Sequence, residues 1–215
     1  LSVLQLPVLH RLKLPVDDFT RDRLAFTLAL REKVIDLCSG EGPPDIIEVP
    51  DWGASGLAFV GGKAMPLKYI VHLHTPTIIV DEANELPLAK RFKLVSAMEI
   101  LAIHRAQMLV SPSRYLADRM IKSFNLDFKK VNVIPHPLNG AFWSVASVEK
   151  PVRKPDKPYL LFAGRLEHRK GVLLLLEAFS GILRRNPAMK LVIAGTDTPT
   201  GPGCTSYETA LFKKS

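Results

Sequence analysis

Apolar residues recur along the chain in two alternating rhythms. Short β-branched or aliphatic runs lie at Ile46–Val49, Tyr69–Leu73, Met108–Val110, Val131–Ile134, Tyr159–Ala163 and Leu191–Ala194. Their length and continuity predict strands buried on both faces. Between them the spacing lengthens to a helical period over Arg21–Leu37, Ala54–Met65, Ala89–Ala106, Ser113–Phe124 and Lys170–Arg185. The fourth of these shows its start and its buried stripe: Ser113 can cap it, and Leu116, Met120, Ile121 and Phe124 share one face. Tyr207–Lys214 reads as the beginning of one more helix. Strands alternating with helices mean βαβ units, hence an α/β fold on a parallel sheet covered from both sides.

The rhythm breaks at Val148–Pro158, where three prolines and four basic residues replace any apolar period. This predicts an exposed linker. The expected organisation is a first domain over 1–150, a linker over 151–158 and a second domain over 159–215. Two strands cannot make a stable sheet alone, so the second domain should be the start of a larger one, or should lean on its neighbour. The first residue is Leu, so an upstream start is expected as well.

Composition adds that 47% of residues are hydrophobic and 23% charged, the balance of a soluble globular chain. The longest aliphatic run, Val172–Leu176, is far shorter than a membrane span, and no signal-peptide order is present. Cys38 and Cys204 suggest neither a disulfide framework nor a metal knuckle. A cytoplasmic protein follows, at most peripheral at the inner face of a membrane.

The net charge of +8 is concentrated: residues 151–190 hold nine Lys or Arg against three acidic residues. Such a cluster suits nucleic acid, an anionic membrane surface or a phosphorylated small molecule. Aromatic residues are not interleaved with these charges, which argues against a nucleic-acid stacking platform.

In open parallel sheets ligands gather beyond the carboxyl ends of the strands. There the sequence places Pro50-Asp51-Trp52-Gly53, His74-Thr75-Pro76, Ser111-Pro112-Ser113, Gly164-Arg165 and Gly195-Thr196-Asp197. Turn chemistry accounts for the small residues. It does not account for an Arg, a His and a Lys at one edge. Gly164–Gly171 is the most informative stretch: a strand ends, Gly164 permits a close turn, and a leucine-rich helix starts near Lys170. Arg165 and Lys170 oppose the dipole at a helix N-terminus, which costs stability unless an anion compensates. A phosphate seated there would do so.

Ala163–Phe179 (A-G-R-L-E-H-R-K-G-V, five residues, A-F), followed by Asn186-Pro187 and Lys190–Gly195, resembles the start of the donor domain of retaining family-four glycosyltransferases, which have the two-Rossmann-domain fold called GT-B. Asp45–Gly53, the strand ending at His74-Thr75-Pro76, and Val110–Ser113 are similar to that family's acceptor domain. Val131–Asn139 resembles its interdomain signature, commonly I-P-N-G-V-D. The resemblance implies a Rossmann-like acceptor domain joined to the beginning of a Rossmann-like donor domain. It also implies transfer of a sugar, hexosyl by analogy, from a nucleotide-diphosphate donor with retained configuration, in polysaccharide or glycan biosynthesis. No metal or other cofactor would be needed, and the acceptor would be a sugar, a glycan or a lipid-linked glycan. By the same resemblance Arg165 and Lys170 bind the donor diphosphate, Gly164, Gly195 and Thr196 line that site, and His74 faces the donor sugar.

Three departures stand out. The family's two glutamates spaced eight apart have no counterpart, and the Gly-rich loop after its first strand is missing. His136-Pro137 stands where Asn-Gly is usual, which should alter only a turn. The first two absences imply a fragment that is inactive without the missing parts of its parent. A zinc pair at His72 and His74 would need further ligands, and none lies at familiar spacing; a satisfied core histidine suits His72 better, whose neighbours are aliphatic. No Walker loop, dinucleotide G-x-G-x-x-G or serine elbow is present, and Gly61-Gly62-Lys63 lacks the spacing. The rivals are a non-catalytic nucleotide- or phosphate-binding module, a sugar-nucleotide epimerase of the same fold, and a basic membrane or nucleic-acid binder.

Overall fold

A computed structural model describes residues 16–60, 67–86, 93–138, 140, 158–201 and 205–212. The expected linker, the Gly61-Gly62-Lys63 turn and the ends of two expected helices (after residue 60 and before residue 93) lie outside these residues. The chain divides into two compact units, one formed by residues 1–80 and 88–136, the other by residues 81–87 and 137–215.

The first unit is built on a four-stranded parallel sheet in the order β1-β2-β3-β4: Ile47–Pro50, Tyr69–His72, Met108–Ser111 and Val131–Val133. Each strand falls within a residue of its expected place, but burial on both faces is confined to the middle strands β2 and β3, while the edge strands β1 and β4 expose Glu48 and Asn132. Registers such as Val49↔Val71↔Leu109 put the apolar residues in rows, and these form the core with Tyr69, Leu73, Ile103 and Met120.

The helices follow their capping signals. Asp17 starts α1 (Asp18–Gly40), accepting hydrogen bonds from the backbone and hydroxyl of Thr20. Ser113 starts α4 (Arg114–Phe124) by accepting from the Leu116 amide, and Asn125, in the left-handed conformation at φ 50°, ends it. The expected stripe is the one that packs: Met120 is fully buried, and Leu116, Ile121 and Phe124 lie against the core. α3 spans Lys93–Arg105.

Two elements depart from the periodicity. The helix expected from Ala54 is a 3-10 segment over Trp52–Phe59, kinked where Gly53 and Ala54 both take positive φ. A further helix, α2 (Thr77–Ala83), occupies a stretch that the pattern leaves unassigned. Its Thr77-Ile78-Ile79-Val80 run favours a strand, and tertiary hydrogen bonds at Thr77 override that propensity. The end of α2, from Asp81, folds with the second unit.

In the second unit β5 (Tyr159–Ala163) and β6 (Lys190–Ala194) pair in parallel over their full length. α5 (Val172–Arg185) follows β5, and α6 (Tyr207–Phe212) comes last. Leu166, Val172, Tyr207 and Leu211 make a small core. These strands remain largely uncovered, with Leu161 59% and Val192 42% exposed. Among the described residues, no helix is long and apolar enough to cross a membrane.

The packing of α4 gives a direct test. Met120→Ala should destabilise the first unit by about 2–5 kcal/mol, the usual range for deleting a buried long apolar side chain. Tyr115→Ala on the same helix, where the side chain is exposed, should change stability by less than about 0.5 kcal/mol. Chemical denaturation of the two variants checks the contrast.

Candidate functional site

In the second unit the strand-end loops are locked together. Gly164 N–H donates to Ala194 O and Leu166 N–H to Thr196 O, each at 2.9 Å, and the Thr198 hydroxyl donates to Leu166 O at 2.6 Å. Gly195 makes this approach possible, since a Cβ there would lie 1.8 Å from Gly164 O. Gly164, Arg165, Gly195 and Thr196 are thus brought to one edge, with Thr196 contributing its backbone carbonyl. Past Arg165 the chain makes a 3-10 turn over His168–Lys170 before α5 begins at Val172, two residues later than expected. Gly171 sits between them in the left-handed region at φ 70°, and no side chain caps the helix. α5 thus starts on a fully buried Val172 with no side-chain cap, next to the exposed Lys170.

Glu167, which sequence reasoning passed over, organises this loop. It is 2% exposed, and one of its carboxylate oxygens lies 3.2 Å from Arg165 and 2.9 Å from Arg169, as ion pairs. Asn84 supports it within the same unit: its side-chain N–H lies 3.5 Å from the other Glu167 oxygen, and its Oδ1 accepts the Arg169 amide at 3.0 Å. The two guanidinium groups balance the charge of this buried carboxylate, although its shared Oε1 makes no hydrogen bond. Arg165 remains 57% exposed, so the rest of its donor fork is open to a ligand. On the neighbouring loop Asp197 accepts the Glu208 amide at 2.8 Å, which holds its carboxyl below the usual range and starts α6.

His74 lies in the first unit, just beyond β2. The His72 and His74 rings have centroids 4.8 Å apart, and His136, arriving from the loop after β4, stands 5.4 and 5.5 Å from them. His136 therefore does more than alter a turn. Nor is His72 a satisfied core histidine: its Nδ1 lies 2.9 Å from Glu48, while its buried Nε2 has no hydrogen-bond partner. The planes of His74 and His136 differ by only 14°, and the rings pack together without converging their nitrogens. Among the described residues no group of His, Cys, Asp or Glu is arranged to hold a metal ion. Burial, reinforced by the neighbouring His72 and His136, lowers the pKa of His74, with Glu48 opposing.

Two buried carboxylates underlie this edge. Glu99 of α3 is fully buried and accepts the Gly53 amide, the Thr77 amide and the Thr77 hydroxyl, each at 2.8 Å. Burial raises its pKa, and those hydrogen bonds pull it back. Asp51, 2% exposed, accepts the Thr75 amide on Oδ2 at 3.1 Å and leaves Oδ1 without a partner. Burial pushes the Asp51 carboxyl up to about 6 against the backbone amides of the His74–Thr75 turn. Asp51 falls in the strand-end stretch already singled out, but Glu99 has no local motif: it meets Gly53 across 46 positions, so periodicity carries no trace of it.

Parallel-stranded α/β units with their polar groups at the strand ends define a Rossmann-like protein of GT-B type. The profile of Glycosyltransferase Family 4 matches residues 4–141, and that of Glycosyl transferases group 1 matches residues 146–210. The chain belongs to Glycosyltransferase Family 4. It is 32% identical over 163 residues to an uncharacterized glycosyltransferase of Methanocaldococcus jannaschii, an alignment covering 71% of this chain and 40% of that protein. With a glycogen synthase of Mycobacterium tuberculosis it shares 23% identity over 188 residues, 84% of this chain and 44% of the relative. The chain thus spans less than half the length of these curated relatives.

Asp51 yields a pH prediction. Its folded pKa of about 6 lies above the ordinary 3.8, so the folded state retains a proton that the unfolded chain has released. Stability contributed by this group is full below about pH 4, falls as pH rises to about 6, and stays lower beyond, by about 3 kcal/mol. Asp51→Asn keeps an acceptor for Thr75 and should therefore stabilise the protein at pH 7 by up to that amount, with the gain vanishing near pH 4. Denaturation curves at the two pH values check it, and equal gains at both would contradict the assignment.

Proposed function

We propose that the complete protein transfers a sugar, a hexose by analogy, from a nucleotide-diphosphate donor to a sugar, glycan or lipid-linked acceptor, with retained configuration. The single observation that carries this reading is the Gly164–Gly171 turn, where Arg165 and Lys170 stand beside the uncapped start of α5 and Gly195 closes against Gly164. Two exposed cations flanking a strand-to-helix turn form a seat for a diphosphate. In the proposed step the acceptor hydroxyl oxygen bonds to the anomeric carbon as the bond from that carbon to the diphosphate oxygen breaks. The diphosphate leaves with the electron pair and takes the acceptor proton. Arg165 and Lys170 stabilise the charge that develops on it, which removes the requirement for a metal. His74 orients the sugar.

The length of the relatives favours a chain that binds nucleotide but turns over only with the remainder of its parent. Calorimetry with UDP, GDP and ADP tests the grip on this chain directly. Arg165→Ala and Lys170→Ala should each weaken binding of the preferred nucleotide about 10- to 100-fold, the equivalent of one charge-assisted hydrogen bond. In the full-length enzyme the double variant should lose transfer by orders of magnitude while the fold persists. Undiminished binding or transfer in the double variant overturns the assignment.

A further inference from the structure

The family's interdomain signature commonly has Asn where this chain has His136. That side chain completes a group of three imidazoles whose centroids form a triangle with sides of 4.8, 5.4 and 5.5 Å and whose planes differ by 14° to 31°. The three rings arrive from two places: His72 and His74 from β2 and its end, His136 from the loop after β4. That loop is anchored by the Ile134 amide donating to Ser111 O at 2.9 Å. On the far side, Glu48 of β1 fixes His72. Nδ1 of His72 lies 2.9 Å from the Glu48 carboxylate, and its buried Nε2 has no hydrogen-bond partner.

We propose that His136 is a positioning residue for His74: packed against that ring from the loop after β4, it fixes the plane of the imidazole. The proposal rests on the reading of His74 as the residue that orients the donor sugar. A neutral imidazole both donates and accepts, which suits a sugar hydroxyl that does the same, whereas an imidazolium only donates. The groups that act on His74 from the elements around it are His72 on β2, His136 after β4 and Glu48 on β1. Two of the three oppose a charge on it. Glu48 favours one, but it is committed to His72 at 2.9 Å.

The test is the titration of individual histidines by NMR on this chain, which needs no turnover. His136→Asn, the residue usual in the family, should move the His74 midpoint upward toward that of an ordinary histidine. His136→Phe keeps a ring over His74 and removes the titratable nitrogens, so the His74 midpoint should lie between those of the parent chain and the Asn variant. Nuclear Overhauser contacts between the His74 and His136 ring protons should be present in the parent chain. An unmoved His74 midpoint in both variants, with amide spectra showing an intact fold, or the absence of those ring contacts, overturns the proposal. If His136→Asn disturbs the fold, the Phe variant decides alone. Calorimetry of the same variants with UDP, GDP and ADP separates the failures. Loss of the histidine coupling with nucleotide binding intact sinks only the role of His136. Coupling intact with no nucleotide bound by the parent chain sinks the transferase reading instead.

Discussion

The carboxylate of Glu99 is the interaction on which the first unit's working edge depends. It rises from α3 into a space with no access to water and collects three hydrogen bonds from the segments that follow β1 and β2. Without it the Gly53 amide and both Thr77 donors would be buried and unpaired, at about 1–3 kcal/mol each. The kink at Gly53-Ala54 and the start of α2 both follow from satisfying this one group. Asp51 and His74 flank those two points, two positions before the kink and three before α2, so Glu99 helps to set where both residues sit.

The regular part of the fold was legible because its causes are local. A β-branched run needs only its own residues to declare a strand, and Ser113 with Leu116, Met120, Ile121 and Phe124 declares a helix within a dozen positions. α2 was not legible, since Thr77-Ile78-Ile79-Val80 prefers a strand and turns helical only because a distant carboxylate takes its first donors. The cation pair Arg165 and Lys170 could be read from one loop. Its supports could not: Glu167 resembles any surface acid until Asn84, Arg165 and Arg169 enclose it. His136 is the plainest case, a substitution in a turn whose meaning depends on two rings more than sixty residues earlier in the chain.

Both units bury acids at their strand ends. The Gly164–Gly171 loop buries Glu167 against two cations and leaves Arg165 and Lys170 exposed. Beyond β1 and β2, Glu99 is fully hydrogen-bonded, whereas Asp51 keeps an unpartnered Oδ1 and carries a cost in the folded state that a neutral side chain would avoid. Retained strain of this kind is common where geometry serves a site more than stability. Both arrangements put their polar groups at strand ends, where a parallel sheet leaves backbone and helix termini unoccupied.

Asn84 receives the amide of Arg169 from 85 positions further along the chain. During synthesis from the N-terminus, the tail of α2 emerges long before that partner exists. The sheet from β1 to β4 can assemble while residues 81–87 wait, and they close only when the loop after β5 has left the ribosome. Closure of this turn therefore needs a partner synthesised 85 positions later. A pause in translation between the two segments would prolong a state in which the first unit is built but the turn that follows α2 is still open.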